Sequence, residues 1–305
     1  MTAPVRDAKA AAARVPSTPW RKFRQRLFAR PYSKVAYVIE RKGWSIDWDG
    51  RYITEAIRRQ ARVDCRVAAS ARGLKHQVVH FGSRHLYFSA GAWLADRSNR
   101  VIVTWFHGSD ADPHPENQRM IRMLPEHLPR LERVVTASKI VEARLLRWGV
   151  PAGKIARIPL GVDLSMFRPA SSEERRAARE RLDIPEHAVC VGSFQKDGNG
   201  WGEGLEPKLV KGPDVLLDVV GGLTKRHPVF VLLLGPARGY VRRGLTARGI
   251  PFRHAYLRDY PAIAPYYHAL DLYLVTSRDE GGPKTVLEAM ASGVPVVSTR
   301  VGMAA

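Results

Sequence analysis

Glu280-Gly281-Gly282-Pro283-Lys284-Thr285-Val286-Leu287-Glu288 continues into Ala289-Met290-Ala291-Ser292-Gly293-Val294-Pro295-Val296-Val297. An apolar run, Leu272-Tyr273-Leu274-Val275-Thr276-Ser277, precedes it and reads as a buried strand. The glycine pair turns that strand into a segment of helical spacing, which Gly293 stops. A strand, a loop and a helix in this order make a place to hold an anion. Glycines let backbone come close to a ligand, Pro283 suits the first helical turn, and the free amides and dipole of the helix start favour a phosphate. Glu280 at the mouth of the loop and Glu288 about two turns further on would both face a ligand lying across that start. Carboxylates accept hydrogen bonds from hydroxyls, so the expected ligand carries both phosphate and sugar.

The two glutamates, followed by Ala289-Met290-Ala291-Ser292-Gly293-Val294-Pro295-Val296-Val297, resemble the signature of retaining glycosyltransferases of family four, which have the GT-B fold. The resemblance implies an α/β protein of two Rossmann-like, doubly wound domains. It also implies a nucleotide-sugar donor as substrate, a glycan or lipid-linked glycan acceptor, and neither a cofactor nor a metal. Donor-binding positions carried over are Gly192, Lys196, Lys211, Glu280, Gly281, Gly282, Pro283, Lys284 and Glu288, with His107, Glu280 and Lys211 as the catalytic group.

Composition is that of a globular protein, 45% hydrophobic and 26% charged over 305 residues, enough for two domains. Forty-nine Lys and Arg against 29 Asp and Glu give a formal charge of +20, a sign that suits nucleic acid, an anionic membrane surface or phosphorylated substrates alike. No run approaches the roughly 20 apolar residues needed to span a bilayer, and the start of the chain lacks the apolar core of a secretion signal. A cytoplasmic location is expected, peripheral on the inner face of the plasma membrane if the N-terminal tail binds lipid. Cys65 and Cys190 lie in separate strand-like runs and read as buried thiols.

Residues 1–33 form a basic tail in which Trp20-Arg21-Lys22-Phe23-Arg24-Gln25-Arg26-Leu27-Phe28 interleaves aromatics with charge. That pattern fits a helix lying on an anionic membrane as well as it fits a solvated tail. Residues 34–160 alternate strand and helix and read as an acceptor-side domain. Its first strand runs into a loop, Glu40 to Gly50, whose Trp44 and Trp48 would pack under the loop or stack on acceptor sugar rings. His107-Gly108 follows another strand end and would hold donor-sugar hydroxyls or orient the acceptor. Ser138 caps a helix whose apolar stripe is Ile140, Val141, Leu145 and Leu146.

Residues 161–186 read as hinge and linker helix, with a capping box at Ser171 to Glu174 and arginines on a solvated face. Residues 187–305 repeat the doubly wound pattern as a donor-binding domain. Lys211-Gly212-Pro213-Asp214 matches a phosphate-gripping lysine of the family, while Ser193 stands where related enzymes usually place an arginine, making Lys196 the substitute. The glycine-rich insertion from Gln195 to Val210 would be a lid over the donor or a mobile surface loop. Proteins of this family normally continue beyond the equivalent of Ala305, so an incomplete second domain is expected. Two other functions share these features: a sugar-nucleotide epimerase on the same fold, and an inactive protein that binds anionic glycans or nucleic acid. The glutamate motif argues against the second, and no nucleic acid is expected as a partner.

Overall fold

The valine- and leucine-rich runs become strands buried on both faces, as parallel sheets require. In the computed structural model, which describes residues 34–40, 45–61, 63–112, 114–257 and 259–305, the first sheet is six-stranded and wholly parallel. Its strands are β1 (Lys34–Val38), β2 (Asp64–Ala68), β3 (Val78–Phe81), β4 (Arg100–Thr104), β5 (Leu131–Thr136) and β6 (Ile155–Arg157), in the order β2-β1-β3-β4-β5-β6. Helices α1 (Ser45–Ala61), α2 (Pro115–His127) and α3 (Lys139–Arg147) connect β1 to β2, β4 to β5 and β5 to β6.

Helix α4 (Ser172–Arg181) precedes the second sheet, whose elements are β7 (Val189–Phe194), α5 (Pro213–Leu223), β8 (Val229–Leu234), α6 (Gly239–Ala247), β9 (Phe252–Ala255), β10 (Leu272–Val275), α7 (Lys284–Ala291) and β11 (Val296–Ser298). Its order is β11-β10-β7-β8-β9, again all parallel. Strand β8 shows why it is covered on both sides. Phe230, Leu232 and Leu234 enter one core with Tyr267, Tyr273 and Ala289, while Val229, Val231 and Leu233 enter another with Leu216, Val241 and Leu245. The two-residue period of a strand sorts a continuous apolar run onto two helix-covered faces. Both sheets lie in one compact unit, Lys34–Ala305. The linker packs with the second sheet, for Phe167, Ala178, Leu182 and Ile184 join the same core as Leu232.

Several expectations are corrected here. Helix α1 begins at Ser45, inside the expected loop, because the Asp47 carboxylate accepts from the Glu40 amide at 3.0 Å and closes the entry to the helix. Trp48 is therefore helical, its ring 5.9 Å from Tyr52 and 6.2 Å from Tyr260; Trp44 lies outside the described residues. The capping box at Ser171 and Glu174 forms as expected, but the arginines of α4 are not all solvated. Arg179 is 7% exposed; it pairs with Asp271 at 3.0 Å and donates to the carbonyls of Pro185 and Ala188. Chain entering β7 and β10 has carbonyls that need donors, and the long guanidinium stems reach them. Leu146 faces outward from α3 at 47% exposure, off the expected stripe. The basic tail lies outside the described residues. No helix among the described residues is long and apolar enough to cross a membrane.

Candidate active site

Strand order reverses between β7 and β10 in the second sheet and between β1 and β3 in the first. Such switch points open a crevice beyond the carboxyl ends of the strands. A cleft of about 520 Å³ occupies this place, lined by Glu40, Asp49, Arg84, His85 and His107 from the loops and helices of the first sheet and by Lys196, Lys208, Lys211, Glu280 and Glu288 from those of the second. That volume is in the range of small-molecule sites.

Backbone geometry puts Lys211 and Glu280 together. Gly212 takes φ +62° with its Cα against Thr276, where a Cβ would stand 1.9 Å from the carbonyl oxygen. Thr276 Oγ1 donates to the Gly212 carbonyl at 2.8 Å, and Arg278 grips both carboxylate oxygens of Asp214 at 2.8 and 2.6 Å. The turn before α5 is thereby laced to the loop after β10. Lys211 Nζ reaches Glu280 Oε1 at 2.6 Å, and Ser277 Oγ donates to the same oxygen at 3.0 Å.

The glycine pair lines the cleft, and its first member also serves the packing of the two halves. A Cβ on Gly281 would lie 1.5 Å from the carbonyl oxygen of Phe106, so this glycine lets the loop approach the backbone that follows β4. Pro283 is the N-cap of α7, one position ahead of the first turn. Lys284, the first helical residue, is 8% exposed, ion-paired with Asp49 of α1 and 4.9 Å from the Tyr260 ring centroid. Glu288 is 1% exposed on the cleft floor. Tyr267 Oη donates to its Oε2 at 2.7 Å and Tyr260 Oη to its Oε1. Burial raises the Glu288 pKa, against the pull of the two hydroxyls and of Lys284.

His107 lies just beyond β4, with its Nδ1 3.4 Å from Arg84 Nη2. A guanidinium only donates, so Nδ1 accepts and the ring proton of neutral His107 sits on Nε2. Burial first, then the Arg84 and Lys211 charges, hold the pKa well below the usual imidazole value. His107 is thus a neutral ring with one N–H to offer. Its neighbour Gly108 is pinned to the loop after β10: the amide donates to Asp279 Oδ2 at 3.1 Å, and Arg144 Nη1 joins the Gly108 carbonyl (2.9 Å) to Asp279 Oδ1 (2.5 Å).

Arg84, Arg144 and Asp279 were not singled out in the sequence. Arg84 stands just beyond β3, a strand end of the kind that drew attention to His107, and Asp279 immediately precedes Glu280; Arg144 carries no local signal. Gly192 lies in the middle of β7 and outside the cleft lining; a Cβ there would stand 2.5 Å from Leu270 Cδ1. Its missing side chain makes room for Leu270, which gives this expected donor-binding position a packing role in the strand.

The segment from Gln195 to Val210 folds back on itself. Gly198 and Pro207 form an antiparallel bridge, and the Lys208 amide donates to the Asp197 carbonyl at 2.8 Å. The Asp197 side chain, wholly buried, pairs at 3.0 Å with an equally buried Arg238. Arg238 also donates to the carbonyls of Ser193, Gln195 and Leu234 at 2.7, 2.9 and 3.0 Å. This fastening presents Lys196 and Lys208 to the cleft, with the Lys196 ammonium 4.3 Å from the Trp201 ring centroid. Among the described residues no group of three or more His, Cys, Asp or Glu is arranged to hold a metal ion.

Residues 14–166, half of the chain, match the model of Glycosyltransferase Family 4, and residues 204–305 match that of Glycosyl transferases group 1. The chain belongs to glycosyltransferase family 4. Among similar proteins, the D-inositol 3-phosphate glycosyltransferase of Segniliparus rotundus is 28% identical over 81% of this chain and 58% of its own length. The enzyme of that name from Nocardiopsis dassonvillei is 30% identical over 74% and 55%. The chain thus spans little more than half the length of these curated relatives. Among solved structures, Anabaena Alr3699/HepE in complex with UDP and glucose superposes with a TM-score of 0.66 at 15% identity, covering 88% of this chain and 81% of that one. Sucrose-phosphate synthase from Thermosynechococcus elongatus gives 0.65 at 16% identity, covering 88% and 82%. These likenesses establish the two-sheet, Rossmann-like α/β fold.

Proposed function

We propose that the chain is a glycosyltransferase, moving a hexose-type sugar from a nucleotide-sugar donor to an acceptor hydroxyl with retention of anomeric configuration. The observation that carries this reading is the Lys211–Glu280 pair at the carboxyl ends of the second sheet, with Lys196 lining the same cleft. A cation next to a hydroxyl-accepting carboxylate suits a ligand in which a sugar adjoins a phosphate. As the glycosidic bond breaks, negative charge grows on the leaving diphosphate; Lys211 and Lys196 neutralise it. Glu280 accepts from donor-sugar hydroxyls, and His107 offers Nε2–H from the opposite wall. The acceptor hydroxyl attacks on the face from which the diphosphate leaves and gives its proton to a leaving-phosphate oxygen. This route uses no protein nucleophile and no metal.

The acceptor is a glycan or lipid-linked glycan, or the phosphorylated cyclitol that the names of the relatives suggest. A radiolabelled transfer assay with inositol phosphates and oligosaccharides, after donor choice by thermal shift, separates these classes. Transfer abolished by a chelator, or an epimerised sugar nucleotide formed without acceptor, contradicts the proposed mechanism.

A further inference from the structure

We propose that Lys208, carried by the folded segment after β7, is a third cation of the phosphate site, and that with Lys211 and Lys196 it selects a nucleoside diphosphate over the monophosphate. This rests on reading the cleft as a sugar-nucleotide site. All three lysines line the same void. Lys211 is already engaged by Glu280 at 2.6 Å, and Lys196 lies over Trp201. Among the described residues no carboxylate pairs with Lys208.

The lysine is also held in place. Its amide is bonded to Asp197, its carbonyl accepts from the Lys211 amide at 2.8 Å, and Asp197 is locked by Arg238. Partial burial, then the charges of Lys211 and Lys196, push the Lys208 ammonium below the usual lysine range, with Glu280 and Asp112 opposing. Like charges gathered on a fixed frame repel one another, and an anion placed among them relieves that repulsion. A diphosphate brings more charge and more acceptor oxygens to such a cluster than a monophosphate does.

The test is calorimetric titration of the full chain with UDP, GDP and ADP and with UMP, GMP and AMP, comparing wild type, Lys208→Gln and Lys208→Arg at equal melting temperature. Lys208→Gln is expected to weaken the preferred diphosphate about ten-fold or more and the matching monophosphate less than about three-fold, with Lys208→Arg restoring the difference. A diphosphate loss under about three-fold, an equal loss for both nucleotides, or a loss that arginine does not restore overturns the role of Lys208. Wild-type protein that binds none of the diphosphates overturns the sugar-nucleotide reading itself, and this inference with it.

Discussion

Lys211 Nζ and Glu280 Oε1 meet at 2.6 Å across 69 residues of sequence, because a left-handed glycine next to the lysine lies against the strand end that leads to the glutamate. Neither residue needs the other for burial, since both side chains keep some contact with the cleft (21% and 12% exposed). The pair is a binding device whose cation and acceptor serve adjoining parts of one ligand. Replacing Lys211 by Ala is expected to lower kcat/KM for sugar transfer by roughly 10²–10³-fold, as removal of one charge-stabilising group does. Glu280→Gln, which keeps shape and loses charge, should cost less in nucleotide affinity than in kcat. Steady-state kinetics with the preferred donor checks both; variants within two-fold of wild type contradict the assignment.

His107 is kept neutral by its surroundings. Arg84→Gln removes the nearest charge that disfavours the imidazolium, so the His107 pKa is expected to rise. The Arg84 variant should therefore lose activity at a higher pH on acidification than wild type does. An NMR titration of the His107 ring reads the same shift directly, and an unchanged pH profile contradicts the role given to Arg84. The other charged or titratable groups facing the ring, Lys211, His85 and Lys208, all act in the same direction as Arg84 and remain in the variant.

His80, hydrogen-bonded to Thr104 Oγ1 at 2.8 Å, has its pKa lowered by burial to about 4. The unfolded chain binds this proton near pH 6.5, so between the two values it holds more protons than the folded state, and stability rises with pH. His80 thus favours the fold fully above about pH 6.5, and that contribution is lost as pH falls toward 4. Melting temperature should drop on acidification through this window. His80→Gln should show a shallower drop, measured by circular dichroism; an equal slope excludes His80 as a source.

Arg238 and Asp197 fasten the lysine-bearing segment from inside the fold. Arg238→Ala leaves a buried carboxylate without its cation and is expected to cost about 3–5 kcal/mol of stability in urea denaturation. Replacement of an exposed arginine such as Arg176 should cost less than about 0.5 kcal/mol. A loss of that small size at Arg238 would mean that the segment does not depend on the pair.

What the sequence revealed and what it hid divide along physical lines. β8 is legible to the residue because six buried apolar side chains in a row admit few other structures; Glu280 and His107 stand out in loops that follow strands, and Lys211 through the Lys211-Gly212-Pro213-Asp214 turn that opens α5. Gly281 was recognised as a close-approach position, but its partner, the Phe106 carbonyl, belongs to the other sheet and leaves no local trace. The pairings of Asp279, Arg144, Arg84 and Arg238 carry no local signal for the same reason: their partners lie far away in sequence, apart from the Leu234 carbonyl at Arg238, and a charged residue in a loop or on a helix looks solvated until the fold buries it. Lys208 sat in a glycine-rich run whose order comes from the Asp197–Arg238 pair. The helical state of Trp48 leaves no trace in the sequence because the carboxylate that starts α1 closes onto a backbone amide rather than adding to a periodic pattern.

Every step proposed for the cleft depends on its binding a sugar nucleotide at the second sheet's strand ends. Thermal shift of this chain against UDP-, GDP- and ADP-sugars tests it most directly, since a donor that binds only the folded state raises the melting temperature. One base series is expected to raise it by several degrees in wild type and not in Lys211→Ala. No shift with any donor, or an equal shift in the variant, contradicts the claim.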